Sequence, residues 1–221
     1  MSKKYLYRFN EGSKDMRAIL GGKGANLAEM TRIGLPVPPG VTISSEACRD
    51  YYQSGKAMPG GLREQVIEQI HYLEEVTGKG FGNPANPLLV SVRSGAAISM
   101  PGMMDTILNL GLNDDTVQGL AAATGDNRFA LDCYRRFIMM YSDVVLGIEH
   151  IEFETIMRNF KSNHKLTYDQ ELTPSHLEEI IDKFKKIIKM RSNEGFPNDP
   201  VDQLLHAVQA VFSSWDNPRA E

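Results

Sequence analysis

The sequence predicts an α+β fold. Three observations carry this. Short runs of strand character, such as "YLYRF" (Tyr5–Phe9) and "PLLVSVR" (Pro87–Arg93), are confined to the first half. Longer runs with apolar residues at helical spacing dominate the second half. The 221 residues are 42% hydrophobic and 24% charged, enough apolar material for one large domain or two modest ones.

Tyr5–Phe9 alternates as a half-buried strand does. In "GGKGANLAEMTRIG" (Gly21–Gly34) a glycine turn opens a helix that presents Leu27 and Met30 on one face and stops at Gly34. Prolines punctuate "LPVPPGVTIS", which runs into a strand at Val41–Ser44, and Ser45–Gln53 reads as a short helix. Leu62, Val66, Ile70 and Leu73 make Gly61–Val76 an amphipathic helix. "PLLVSVR" reads as a buried strand, and "TILNLGL" (Thr106–Leu112) as another. After about Asn113 helices take over. Arg128–Gly147 carries Phe129, Cys133, Phe137, Met140 and Val144 on one stripe. In "TPSHLEEIIDKFKKIIKM", Thr173 suits the N-cap and Pro174 the first helical position, with Gly195 beyond the end. Leu177, Ile180, Ile181, Phe184, Ile187 and Ile188 form its apolar face, and Lys183, Lys185, Lys186 and Lys189 a solvated one. Val201–Phe212 is a further helix.

The net charge of −4 argues against a nucleic-acid binder that works by bulk charge. No apolar run reaches membrane-spanning length, and "MSKKYLYRF" is too short and polar for a signal peptide. Cys48 and Cys133 have no metal-type spacing and read as buried free thiols, so a cytoplasmic location is expected.

Chemistry concentrates in "RSGAAISMPGMMDT" (Arg93–Thr106). A loop lying along a polyphosphate needs bare backbone, which Gly95 and Gly102 supply, and donors, which Ser94, Ser99 and Thr106 supply. The planar fork of Arg93 suits two phosphate oxygens. Met100, Met103 and Met104 offer adaptable apolar contacts for a docking domain. On composition alone an ordinary surface loop remains open. "GGKG" (Gly21–Gly24) sets Lys23 among glycines at a helix start, but it is not a Walker A loop, and a plain turn remains open too. "TGKGFG" (Thr77–Gly82) follows a helix and reads as its stop. "YRRF" places Arg135 and Arg136 about 100° apart on a helix, so one can face solvent while the other reaches inward. His71, His150, His164, His176 and His206 have no acidic or cysteine partner at ligand spacing.

Taken together, "GGKGANLAEMTRIGLPVPPGVTIS", "PLLVSVRSGAAISMPGMMDTILNLGLND", "RFALDCYRRFIMMYSDVV" and "SSWDNPRA" resemble the N-terminal part of the pyruvate phosphate dikinase family. Related phosphoenolpyruvate synthases share "GGKGANLAEM" but carry an acidic loop where this chain has "SMPGMMDT". The resemblance implies a partial ATP-grasp nucleotide-binding domain with an inserted helical subdomain. Its expected parts are residues 1–112, a helical subdomain over 113–198, and a return segment over 199–221 carrying Trp215 and Arg219. It implies ATP as ligand, with phosphate contacts from Lys23 and Arg93, a contribution from Arg136 or its neighbour Arg135, and Ser99, Gly102 and Thr106 in the closing loop. It also implies Mg²⁺ ligands and a phosphohistidine domain beyond residue 221, so that this piece alone is expected to be inactive, and a homodimer for the full-length enzyme. A non-catalytic nucleotide-binding or interaction module on the same fold is the alternative.

Overall fold

The computed structural model describes residues 3–95 and 106–214. Ser99, Met100, Gly102, Met103, Met104, Trp215 and Arg219 lie outside the described residues. The chain forms two compact units, one of Met1–Lys79, Arg93–Asp105 and Val208–Glu221, the other of Gly80–Val92 and Thr106–Ala207. The sequence boundary at residue 112 falls within the second unit.

In the first unit, β1 (Leu6–Arg8) pairs antiparallel with β2 (Val41–Ile43), with Tyr7 opposite Thr42. Between them lies α1 (Arg17–Arg32), interrupted at Gly21. Its buried face is not the expected one. Leu20, Gly24, Ala25 and Ala28 are buried, whereas Leu27 is half-buried and Met30 exposed. Close approach is the reason: a Cβ on Gly24 would stand 2.7 Å from Thr42 Cγ2 on β2, so small residues must face the strand. Helix α2 (Ser45–Gln53) buries Ala47, Cys48 and Tyr51, and the Tyr51 hydroxyl lies 2.9 Å from Ser213 Oγ. Helix α3 (Leu62–Thr77) buries Leu62, Val66, Ile70 and Leu73 as expected and stops at left-handed Gly78. It holds β1 through Gln65, whose Oε1 accepts from the Tyr5 amide at 2.8 Å.

In the second unit, β3 (Gly80–Phe81) pairs parallel with β4 (Pro87–Leu88), and β5 (Val90–Val92) pairs antiparallel with β6 (Ile107–Leu110). "PLLVSVR" is therefore two short strands, each with its own partner, and only Pro87 and Leu88 of it are buried. The helices are α4 (Thr116–Thr124), α5 (Asn127–Val144), α6 (His150–Asn163) and α7 (Pro174–Ser192); α8 (Pro200–Ser214) belongs to this unit through Ala207. The expected stripe of α5 is displaced. Phe129 is exposed and Cys133, Met140 and Val144 are half-buried, while Tyr134, Phe137, Ile138 and Tyr141 are buried. The Phe196 ring determines this face, packing edge-on within 6.3, 5.6 and 5.4 Å of Tyr134, Phe137 and Tyr141. The capped start of α7 is as expected: Thr173 Oγ1 accepts from the His176 amide at 3.3 Å. Its left-handed end residue is Asn193, two positions before Gly195. Lys185 departs from a purely solvated role, because it pairs with Asp114 and lies 5.3 Å from the Tyr134 ring centre. Among the described residues no helix is long and apolar enough to cross a membrane.

Candidate functional site

Gly21 shapes the first candidate site. Its φ of 68° and ψ of 174° break α1 into a short first turn and a second run that restarts at Gly22. L-residues rarely adopt this conformation. Space is equally restrictive, since a Cβ here would lie 2.5 Å from the Gly95 carbonyl oxygen. Backbone thus meets backbone, and the glycine turn is seated on the "RSG" stretch. Lys23 follows at the restarted helix, and its ammonium donates to the Ser94 carbonyl at 2.8 Å. Lys23 and Arg93, 70 positions apart in the chain (93 minus 23), are therefore joined through the residue next to Arg93.

Ser94 is buried, and its hydroxyl has no hydrogen-bond partner among the described residues. Arg93 is exposed just beyond β5. Sequence reasoning overlooked a third cation. Arg17 opens α1, and its side chain runs past the Gly21 break, so that a Cβ on Gly22 would lie 3.5 Å from its Nη2 and 3.7 Å from its Nε. Nothing local marks Arg17, because its contact arises only from the break in the helix. Among the described residues no carboxylate pairs with Arg17, Lys23 or Arg93. Basic side chains left without a counter-charge raise the local positive potential.

The arginines of α5 lie in the second unit. Arg135 points inward, 3% exposed; its Nε and Nη2 donate to Asp132 Oδ1 at 2.9 and 2.6 Å, and Nη2 reaches Asp169 at 3.5 Å. Arg136 is 63% exposed and pairs with Asp132 Oδ2 at 2.9 Å. Burial raises the Asp169 carboxyl, but the Lys161 hydrogen bond and the charges of Arg135 and Lys161 outweigh it and hold it below the usual range. Arg135, Lys161 and Asp169 edge a cleft of about 290 Å³ that Met157 and Arg158 also line. Thr106, half-buried ahead of β6, belongs to this unit. Of the histidines, His150 departs from the sequence expectation, lying 3.4 Å from Glu154 one turn on; His206 lies 3.3 Å from the Tyr141 hydroxyl, His164 stacks on Phe160, and His176 Nδ1 accepts from the Thr173 amide at 3.3 Å. Among the described residues no three His, Cys, Asp or Glu side chains are placed to hold a metal.

The family model described as "Pyruvate phosphate dikinase, AMP/ATP-binding domain" matches residues 17–70 and 55–221. The chain is 55% identical over 218 residues to a pyruvate, phosphate dikinase of Clostridium symbiosum, covering 98% of this chain and 25% of that protein. It is 54% identical to the chloroplastic pyruvate, phosphate dikinase of Mesembryanthemum crystallinum, covering 96% and 22%. To the enzyme of Rhizobium meliloti (strain 1021) it is 52% identical, covering 98% and 25%. The chain thus spans about a quarter of the length of these relatives. The chain, whose α+β architecture agrees, belongs to the AMP/ATP-binding domain family of pyruvate phosphate dikinase, of ATP-grasp type.

Proposed function

We propose that the chain is the ATP-binding portion of a cytoplasmic pyruvate phosphate dikinase, with Lys23 and Arg93 holding the polyphosphate. One observation carries this reading: the Lys23 ammonium rests on the Ser94 carbonyl, next to Arg93, with no carboxylate of the described residues pairing with either cation. Phosphoryl transfer depends on positioning and on neutralising charge over the phosphate oxygens, and a lysine point charge with an arginine fork supplies both. Only one of the three Lys23 donors is used by Ser94, leaving the others for phosphate. Ser99, Gly102 and Thr106 are proposed as phosphate-loop residues on the family likeness alone. Arg136 has the weaker claim, since Asp132 already pairs with it.

The reaction assigned to the longer protein interconverts ATP, phosphate and pyruvate with AMP, pyrophosphate and phosphoenolpyruvate, through a histidine on a separate domain of a homodimeric enzyme. This chain's share is to bind ATP and orient its phosphates. Magnesium is expected in the longer protein; among the described residues no three His, Cys, Asp or Glu side chains are placed to hold it. The relatives' names favour this reaction over that of the phosphoenolpyruvate synthases.

Calorimetric titration of the chain with ATP tests the reading. Lys23→Ala and Arg93→Ala should each weaken binding about tenfold or more, the worth of a charge-assisted hydrogen bond. Unchanged affinity in both variants overturns the assignment.

A further inference from the structure

We infer that Arg17 is a third phosphate-binding residue of this site, donating through its guanidinium to the same polyphosphate as Lys23 and Arg93. The inference rests on the proposed ATP reading. Arg17 stands four positions before Gly21, and a regular helix would keep its side chain on the first turn. The break at Gly21 redirects the chain, so that the guanidinium lies beside Gly22, the immediate neighbour of Lys23. Lys23 in turn touches Ser94, the immediate neighbour of Arg93. Arg17 thus lies beside the residue before Lys23, and Lys23 bonds the residue after Arg93.

Their surroundings call for an anion. Arg17 is exposed and no carboxylate of the described residues pairs with it. Several other basic side chains of this unit are paired: Lys3 with Asp50, Lys4 with Glu11 and Arg32 with Glu29. Ser94 adds a buried hydroxyl with no partner among the described residues, at the residue that Lys23 touches. Like charges gathered this way repel one another, and a polyphosphate relieves that repulsion. Arginine suits the position by chemistry, because its fork donates to two phosphate oxygens at once, which an ammonium cannot do.

The test is calorimetric titration of the 221-residue chain with inorganic tripolyphosphate and, separately, with adenosine. Arg17→Ala should weaken tripolyphosphate binding about tenfold or more, and Arg17→Lys should restore part of the loss. Adenosine binding should not change, and a far-ultraviolet melt matching that of the unmodified chain establishes that the variants fold. A merely structural Arg17 would alter the melt or both ligands together, and that result overturns the inference. If Arg17→Ala leaves tripolyphosphate affinity within about twofold while Lys23→Ala and Arg93→Ala reduce it, Arg17 is excluded and the ATP reading stands. If none of the three substitutions matters, or the unmodified chain binds no tripolyphosphate at millimolar concentration, both fall.

Discussion

Gly21 and Gly95 face each other but differ in tolerance. Gly21→Ala meets both a positive φ and the Gly95 carbonyl, and should cost roughly 1–3 kcal/mol while weakening ATP binding. Gly95→Ala meets nothing within 4 Å among the described atoms and should be near neutral, so paired melts and titrations separate the two. Asp169 gives a pH test. Its carboxyl is held below its unfolded value, about 3.9, so its stabilisation is complete above that pH and is lost as pH falls through the folded value. The gap in melting temperature between the unmodified chain and Asp169→Asn should therefore be constant near neutrality and shrink under acid. The thiols differ as well. Burial pushes Cys48 up to about 11, whereas Cys133 is half-buried, so mass spectrometry after iodoacetamide treatment should show Cys133 labelled first. The sequence singled out Lys23 and Arg93 as candidates through the family resemblance, and the structure adds only that Lys23 bonds the residue next to Arg93. Arg17 was not legible there, since only the geometry at Gly21 brings it to Gly22.

Elements that carry their own signals were the easiest to read. Helix α7 begins where Thr173 and Pro174 mark it, because capping is local. Thr173→Ala should lower stability by about 1 kcal/mol in a urea titration. The faces of α1 and α5 were misjudged because they depend on distant partners, Thr42 for one and Phe196 for the other. Helix α4 was not anticipated, being short and rich in alanine and threonine. It also reverses a propensity argument. Alanine favours a helix interior over glycine by about 1 kcal/mol, yet a methyl on Gly119 would overlap the Pro84 carbonyl oxygen. Gly119→Ala should therefore destabilise the protein, and a higher melting temperature would refute this packing.

Across the whole molecule, charge is distributed unevenly. The chain is acidic overall, at −4, while three cations without carboxylate partners among the described residues gather at the glycine turn. Attraction to ATP is then local and opposed by the rest of the surface, so affinity should fall as salt rises, and a flat salt series would contradict the assignment. The α+β class was legible from the segregation of strand-like and helical runs, but the pairing of strands was not, because "PLLVSVR" divides between two partners. Long-range ties of this kind are typified by Gln203 on α8, which is fully buried. Its Oε1 accepts from the Gly111 amide at 3.0 Å, and its Nε2 donates to the Leu112 and Pro197 carbonyls, each at 2.9 Å. Deamidation at this one position, a change that leaves the shape almost intact, would turn a donor toward two carbonyls into an oxygen that repels both. Exchanging one nitrogen for oxygen inside the fold would thus cost more than most replacements on its exterior.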